Sequence, residues 1–302
     1  MDNSNTPSPP TEHYYVPVKS YWPFMGSIGL GTTVVGGVGI FHAKAYGWPI
    51  FFVGALIMAG MLFGWFSHVI EESQKGLYSR QMDRSFRWGM AWFIFSEVMF
   101  FGAFFGTLFY ARHFSIPWLG GLAEKISSPA FDTHHVLWPN FHAVWPLLQN
   151  PNPELFKGPT AAMDALGLPA INTLILLISG VTVTWAHYGL KAGNRKQLLW
   201  GLLVTVLLGA TFLCLQAFEY HHAYHELGLT LNSGMYGTTF FMLTGFHGAH
   251  VCIGTIMLLI MLLRACKGHF MQGSHFAFEA TAWYWHFVDV VWLLLFTFVY
   301  WL

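Results

Sequence analysis

The amino-acid sequence predicts an all-α integral membrane protein with seven transmembrane helices, and two observations predict it. Hydrophobic residues make up 55% of the 302 positions and charged residues only 9%, whereas an ordinary soluble domain carries about 25% charged residues. Too little polar surface is left for the chain to face water on all sides. The apolar residues are also gathered into seven stretches of about 20 residues, the length a helix needs to cross roughly 30 Å of hydrocarbon.

Taken in order, the first two spans run from about 22 to 41 and from about 48 to 70. They open on Trp22-Pro23 and Trp48-Pro49, which puts Pro in a first turn, where its missing N–H does no harm, and Trp at interface depth. The third, about 88 to 111, carries Gly102 and Gly106 four apart, a small-xxx-small spacing that lets helix backbones approach. The fourth, about 169 to 190, starts at Pro169 in the manner of the first two. The fifth, sixth and seventh cover about 198 to 220, 237 to 263 and 281 to 302. The connection from 112 to 169 holds eight of the 14 prolines together with His134, His135 and His142. A loop of that length is either functional or a covering surface, and pairs such as Pro117-Trp118 predict an irregular folded cap. No internal repeat of solenoid or inverted-transporter type is visible.

Charge decides orientation and excludes some functions. Fourteen Lys and Arg balance fourteen Asp and Glu, which argues against nucleic-acid binding. With seven spans the termini lie on opposite sides. Lys19, Lys75, Arg80, Arg84, Arg87, Lys191, Arg195, Lys196, Arg264 and Lys267, ten in all, fall on the N-terminal side, against Lys44, Arg112, Lys125 and Lys157 on the other. The positive-inside rule then makes the N-terminus cytoplasmic and the C-terminus outward-facing. The N-terminal run MDNSNTPSPPTEHYYVP lacks both an Arg-rich amphipathic stretch and a short apolar core with a cleavage site, so it does not read as a removable targeting peptide. Cys214, Cys252 and Cys266 are odd in number and widely spaced, and read as small buried hydrophobes.

Ionisable residues inside a span are costly and mark candidate sites. Glu97 sits near the middle of the third span and is expected to be protonated, paired or beside water. His286 and Asp289 share one helix face at i, i+3; they are placed to bond each other or to meet Glu219, which closes the fifth span. His247 and His250 have the same spacing and read as interhelical hydrogen-bonders. These five residues, Glu219, His247, His250, His286 and Asp289, are expected to form a structural polar cluster. A sharper possibility is metal, because His221, His222 and His225 crowd one helix end with Glu219 and Glu226, like the histidine boxes of membrane di-iron oxygenases. The predicted topology puts that group on the outer face with no second box in reach, so no metal site is assigned.

The C-terminal run AFEATAWYWHFVDVVWLLLFTFVYWL resembles the last helix of the cytochrome c oxidase subunit III family, where WYWHFVDVVW is close to a signature. RWGMAWFIFSEVMFF, WAHYGLKAGNRKQ, LQAFEY and YGTTFFMLTGFHGAHVCIGT are also similar to that family and occur in its order. The resemblance implies an accessory, non-redox subunit of a proton-pumping oxidase that reduces oxygen with electrons from cytochrome c. It implies a two-helix bundle and a five-helix bundle separated by a lipid-filled cleft. The corresponding boundaries here are a cytoplasmic segment 1–20, helices over 21–71, a linker 72–87, and a bundle over 88–302 interrupted by the loop 113–168. No cofactor is expected on this chain; haem a, haem a3 and copper belong to the partner subunits I and II, with phospholipids bound here. The carboxylate matching Glu97 is proton-linked and reactive towards a carbodiimide, and headgroup contacts carry over onto Trp65, Glu72, Arg264 and Lys267. A bacterial plasma membrane is the implied location. The family often has a His in the stretch here occupied by Ser73 to Tyr78, and the 113–168 loop is extended, on a side where other respiratory complexes could be met. The alternative is a stand-alone membrane di-iron oxygenase or desaturase-like enzyme.

Overall fold

The computed structural model describes residues 15–16, 19–121, 134–270 and 275–302. Most of the N-terminal segment 1–20, and Lys125 with part of the 113–168 loop, lie outside the described residues. All regular structure among the described residues is helical. Among the described residues seven helices are long and apolar enough to span a membrane: α1 Trp22–Phe41, α2 Gly47–Gln74, α3 Arg80–Leu119, α4 Leu168–Lys191, α5 Arg195–His225, α6 Met235–Cys266 and α7 Phe276–Trp301. The chain divides into two compact units, residues 1–88 and 89–302.

Several helices outrun their apolar stretches. Apolar length measures the hydrocarbon crossed, whereas polar ends such as Glu71-Glu72-Ser73-Gln74 on α2 continue the backbone ladder beyond it. The expected linker 72–87 is accordingly mostly helical, with α2 ending at Gln74 and α3 beginning at Arg80. The third helix also runs past its expected end at 111. It is α-helical over Arg80–Tyr110, widens into a π-helical segment at Ala111–Ser115, and closes with an α-turn at Ile116–Leu119. Pro117 lacks an N–H and its ring crowds the carbonyl one turn back, and the wider π geometry just before it accommodates both.

In the first unit α1 and α2 pack through glycine. A Cβ on Gly36 would run into the backbone of Phe51, and one on Gly39 would lie 2.9 Å from the Cα of Gly47. Lipid is as apolar as a Leu side chain, so close van der Waals approach of this kind holds membrane helices together. Trp22 Nε1 adds a hydrogen bond to His68 Nδ1 at 2.9 Å.

The second unit is organised around α7. Of its most apolar 18-residue stretch 56% is buried, against 33% or less in the other helices. Trp285 and Trp292 are fully buried and donate Nε1–H to Ser179 Oγ and Thr173 Oγ1 of α4, both at 2.9 Å. Gly209 of α5 and Gly254 of α6 face Trp285 from two sides. Between α5 and α6, Gln216 Nε2 donates to the Thr244 carbonyl at 2.9 Å and the Tyr220 hydroxyl pairs with Thr244 Oγ1 at 2.7 Å. Gly102 and Gly106 do not act as the close-approach pair their spacing predicts within this chain: a Cβ added to either would have nothing within 4 Å. They line an apolar groove of about 640 Å³ along α3 and α7 that ends at Arg112 and His113.

At the end of this bundle near Glu219, the segment after 134 folds onto the α5–α6 connection. Thr160 bonds the Leu227 carbonyl through both N–H and hydroxyl at 2.8 Å. Asn150 Nδ2 donates to the carbonyls of Phe156 at 3.0 Å and Ser233 at 3.2 Å.

Candidate functional site

Glu97 lies 17 residues into α3, about 26 Å along the axis at 1.5 Å per residue, and meets a partner there. Its Oε2 is 2.9 Å from Nε2 of His250 on α6. His250 Nδ1 is in turn 2.6 Å from the Phe246 carbonyl. A carbonyl oxygen only accepts, so Nδ1 carries a hydrogen, and the contact between Nε2 and the carboxylate needs one proton more. That proton can sit on either group: a carboxylic acid donating to a neutral ring, or an imidazolium donating to a carboxylate. Phe100, Phe101 and Tyr284 surround the His250 ring with centroids 6.1, 5.0 and 6.3 Å away. The side chains keep 21% and 13% of their surface open, Glu97 the more accessible. The arrangement holds a proton at mid-span within an aromatic wall.

The five polar residues grouped from the sequence are not brought together as one cluster. His247 is fully buried and reaches across to α7, its Nε2 3.2 Å from the Val288 carbonyl. His250 turns to α3 instead. His286 Nδ1 is 3.8 Å from Asp289 Oδ2, and its Nε2 is 3.2 Å from Thr184 Oγ1 on α4. Glu219 meets neither of them. It is buried and accepts a hydrogen bond from the Tyr300 hydroxyl at 2.6 Å, about 16 Å along α7 from Asp289. Sequence alone does not single out Tyr300, because only the register of α5 against α7 brings it to Glu219.

Of the residues expected to meet lipid headgroups, Glu72, Arg264 and Lys267 lie in the last turn or cap of their helices, and Trp65 stands nine residues before the end of α2. In the first unit Trp65 is exposed and stacks on Phe66, while Glu72 accepts from Tyr78 at 2.8 Å and Tyr15 at 3.1 Å. Tyr78 lies outside the spans; burial, with the Glu72 carboxylate beside it, pushes its phenol above the usual range. In the second unit the Arg264 guanidinium lies 5.0 Å over the Phe270 ring, with Nε buried and unbonded. Lys267, the cap residue of α6, is exposed.

The histidine-rich end of α5 does not converge on an ion. His222 pairs with Glu226 at 3.0 Å, the His221 ring lies tilted against His225 with centroids 4.4 Å apart, and Glu219 turns inward to Tyr300. Among the described residues the group whose donor atoms do converge is His187, His275 and Glu279, all within 4.8 Å of one another. Glu279 follows His275 by four, but nothing local in the sequence ties either to His187.

The family profile described as cytochrome c oxidase subunit III matches residues 12–133 and 126–302. The chain is 39% identical to "Probable cytochrome c oxidase subunit 3" of Rickettsia bellii over 303 residues, covering 99% of each chain. It is 42% identical to "Cytochrome c oxidase subunit 3" of Drosophila melanogaster over 283 residues, 93% of this chain and 94% of the relative. The protein of the same description from Dugong dugon is 38% identical over 294 residues, 96% and 97% of the two chains.

Proposed function

The chain belongs to the cytochrome c oxidase subunit III family, and from that premise we propose that its Glu97–His250 pair is the proton-linked element through which a non-catalytic subunit supports sustained oxygen reduction. Membership makes the chain a multi-pass membrane subunit of the oxidase and not itself the redox catalyst. The finer reading is that it packs beside subunits I and II, which hold haem a, haem a3 and copper, with its N-terminus cytoplasmic in a bacterial plasma membrane.

The observation that carries this reading is the 2.9 Å contact between Glu97 and His250. A carboxylate in mid-span costs about 2.5–3.5 kcal/mol unless it is paired or protonated, and this pair does either by placing a single proton. A group that shares one proton with an imidazole at a partly open site can pass it on without changing the local charge by more than one. It can also react with a carbodiimide when the proton is on the carboxyl. Phospholipid headgroups are held by Glu72 at the end of α2 with Trp65 further back on the same helix in the first unit, and by Arg264 and Lys267 at the end of α6 in the second.

The test is Glu97→Gln and His250→Gln in the assembled oxidase. Both variants should assemble with an unaltered haem spectrum, lose carbodiimide sensitivity at this position in the Glu97→Gln case, and show changed turnover under sustained load or a changed pH profile of turnover. Full parental behaviour of both variants in all these respects would reduce the pair to a packing hydrogen bond. Immediate loss of all oxygen reduction with assembly intact would contradict an accessory role. The di-iron oxygenase reading is not favoured, since the family assignment covers the chain and the α5 histidines pair among themselves.

A further inference from the structure

We propose that the face of α4 and α7 centred on His286 and Asp289 receives a membrane-spanning helix of another oxidase subunit, which presents a hydrogen-bond donor to these two residues. The inference rests on the chain's being one subunit of the oxidase and is independent of the role given to Glu97 and His250. His286 and Asp289 lie about 15 and 20 Å along α7, a helix of 26 residues and about 39 Å, so both stand near its middle. The His286 side chain is 46% exposed there, against 10% for Asp289. Leu177 and Val181 of α4 and Val290 and Leu293 of α7 are exposed on the same stretches of the two helices.

An ionisable side chain within a span ordinarily faces the bundle interior or a water-filled cavity, and a half-open imidazole at mid-span departs from that rule. Its hydrogen bonds define what it would accept. The Thr184 hydroxyl donates to the Gly180 carbonyl at 2.8 Å, so its oxygen accepts from His286 Nε2 at 3.2 Å, and the neutral ring carries its one hydrogen on Nε2. Nδ1 is then a lone pair. It lies 3.8 Å from Asp289 Oδ2, too far for a hydrogen bond, and the ionised carboxylate has no hydrogen to offer it. Gly180 keeps the space beside both atoms free of side-chain atoms: a Cβ there would stand 2.7 Å from Asp289 Oδ2 and 3.7 Å from His286 Nδ1. Asp289 Oδ1 is buried without a hydrogen-bond partner, which leaves Oδ2 as the oxygen for a further donor. Two acceptors at this separation are bridged by one atom that carries two hydrogens and sits about 2.9 Å from each.

The donor selects the occupant. Lipid tails carry none, and headgroup donors lie about 15 Å from mid-bilayer. A second copy of this chain docked about a twofold axis would bring the same two acceptors against themselves. A helix of another subunit reaches this depth, and an Asn or Gln amide or a Lys ammonium on it places two or more hydrogens on one nitrogen. Bonds of this kind join helices within membranes, and the exposed Leu and Val side chains give the rest of such a helix an apolar surface to lie on. The spacing of His286 and Asp289 puts them on one helix face, but that the ring turns outward follows only from the packing of α4 beside α7.

The experiment introduces a benzophenone side chain at Val181 or Val290, one position at a time, in the assembled oxidase, and identifies the photo-cross-linked product by mass spectrometry. Both positions should capture one helix of another oxidase subunit, with an Asn, Gln or Lys at mid-depth, and the same group at exposed Leu207 of α5 should not capture that helix. In a second arm the full chain is dissociated and reassociated with the remainder of the oxidase. His286→Leu should weaken reassociation by about three- to twentyfold, the range that one interhelical hydrogen bond covers in a membrane bundle, and Asp289→Asn should weaken it as well. Circular dichroism of each isolated variant separates lost docking from lost folding, and the cross-linking arm decides alone for a variant that does not fold. The proposal is overturned if Val181 and Val290 capture only lipid or a second copy of this chain, if Leu207 captures the same helix, if the captured helix carries no such donor at that depth, or if both folded variants reassociate as tightly as the parent.

Discussion

Substituting Gly209 by Ala tests how the last helix is held. A Cβ there would lie 2.8 Å from Cη2 of Trp285 and 2.7 Å from Thr255 Oγ1, well inside van der Waals contact. The indole has nowhere to go. It is fully buried, its Nε1 is tied to Ser179, and the adjoining edge of its six-membered ring faces Gly254, where a Cβ would meet Cε3 at 2.8 Å. The helices must therefore separate, and overpacking of this kind costs about 1–3 kcal/mol; a rigid ring pinned on both sides places Gly209→Ala in the upper half of that range. Trp285→Phe removes Cη2 and Cζ2, the atoms that would clash. It also removes the bond to Ser179, worth about 0.6 and at most about 1.7 kcal/mol in a membrane bundle, while the Ser179 hydroxyl keeps its bond to the Leu176 carbonyl at 2.7 Å. In the Trp285→Phe background Gly209→Ala should cost less than about 1 kcal/mol, a coupling of at least about 1 kcal/mol. Rescue stays incomplete because Thr255 remains. Reversible unfolding in bicelles of parent, both single variants and the double variant measures the cycle. Additivity within about 0.3–0.5 kcal/mol would refute the packing of Trp285 between α5 and α6.

Two further outcomes are expected. Tyr300→Phe leaves buried Glu219 without its 2.6 Å donor and should destabilise the bundle by about 1–3 kcal/mol, read in the same unfolding assay; a change within error would mean the bond contributes nothing net. Arg264→Ala combined with Lys267→Ala should lower the phospholipid retained through detergent purification, each cation near a headgroup being worth about 1 kcal/mol. Unchanged lipid by native mass spectrometry would show that these residues do not hold it.

Seven helices are legible because apolar length is a property of local sequence. Their ends are not, since Glu71 to Gln74 or His221 to His225 extend a ladder that hydropathy does not register. That α7 is the enclosed helix, and that its Trp285 bonds Ser179, depends on partners more than 100 residues away. The polar cluster fails to assemble for a geometric reason. Three residues of helix leave side chains about 60° apart around the axis, enough to send His247 to α7 and His250 to α3. Local sequence identifies Glu97 as a residue needing a partner and His250 as an interhelical donor; their pairing requires the packed bundle.

Whether this chain supports an oxidase whose redox centres lie in other subunits can be read directly. An affinity tag on the chain, gentle solubilisation and an absorption spectrum with metal analysis of what elutes provide the measurement. Haem and copper should elute with the tagged chain together with oxygen-reducing activity, and dissociating the complex should leave this chain without haem, copper or iron. A tagged chain that elutes alone with stoichiometric iron and oxygenase activity would contradict the assignment.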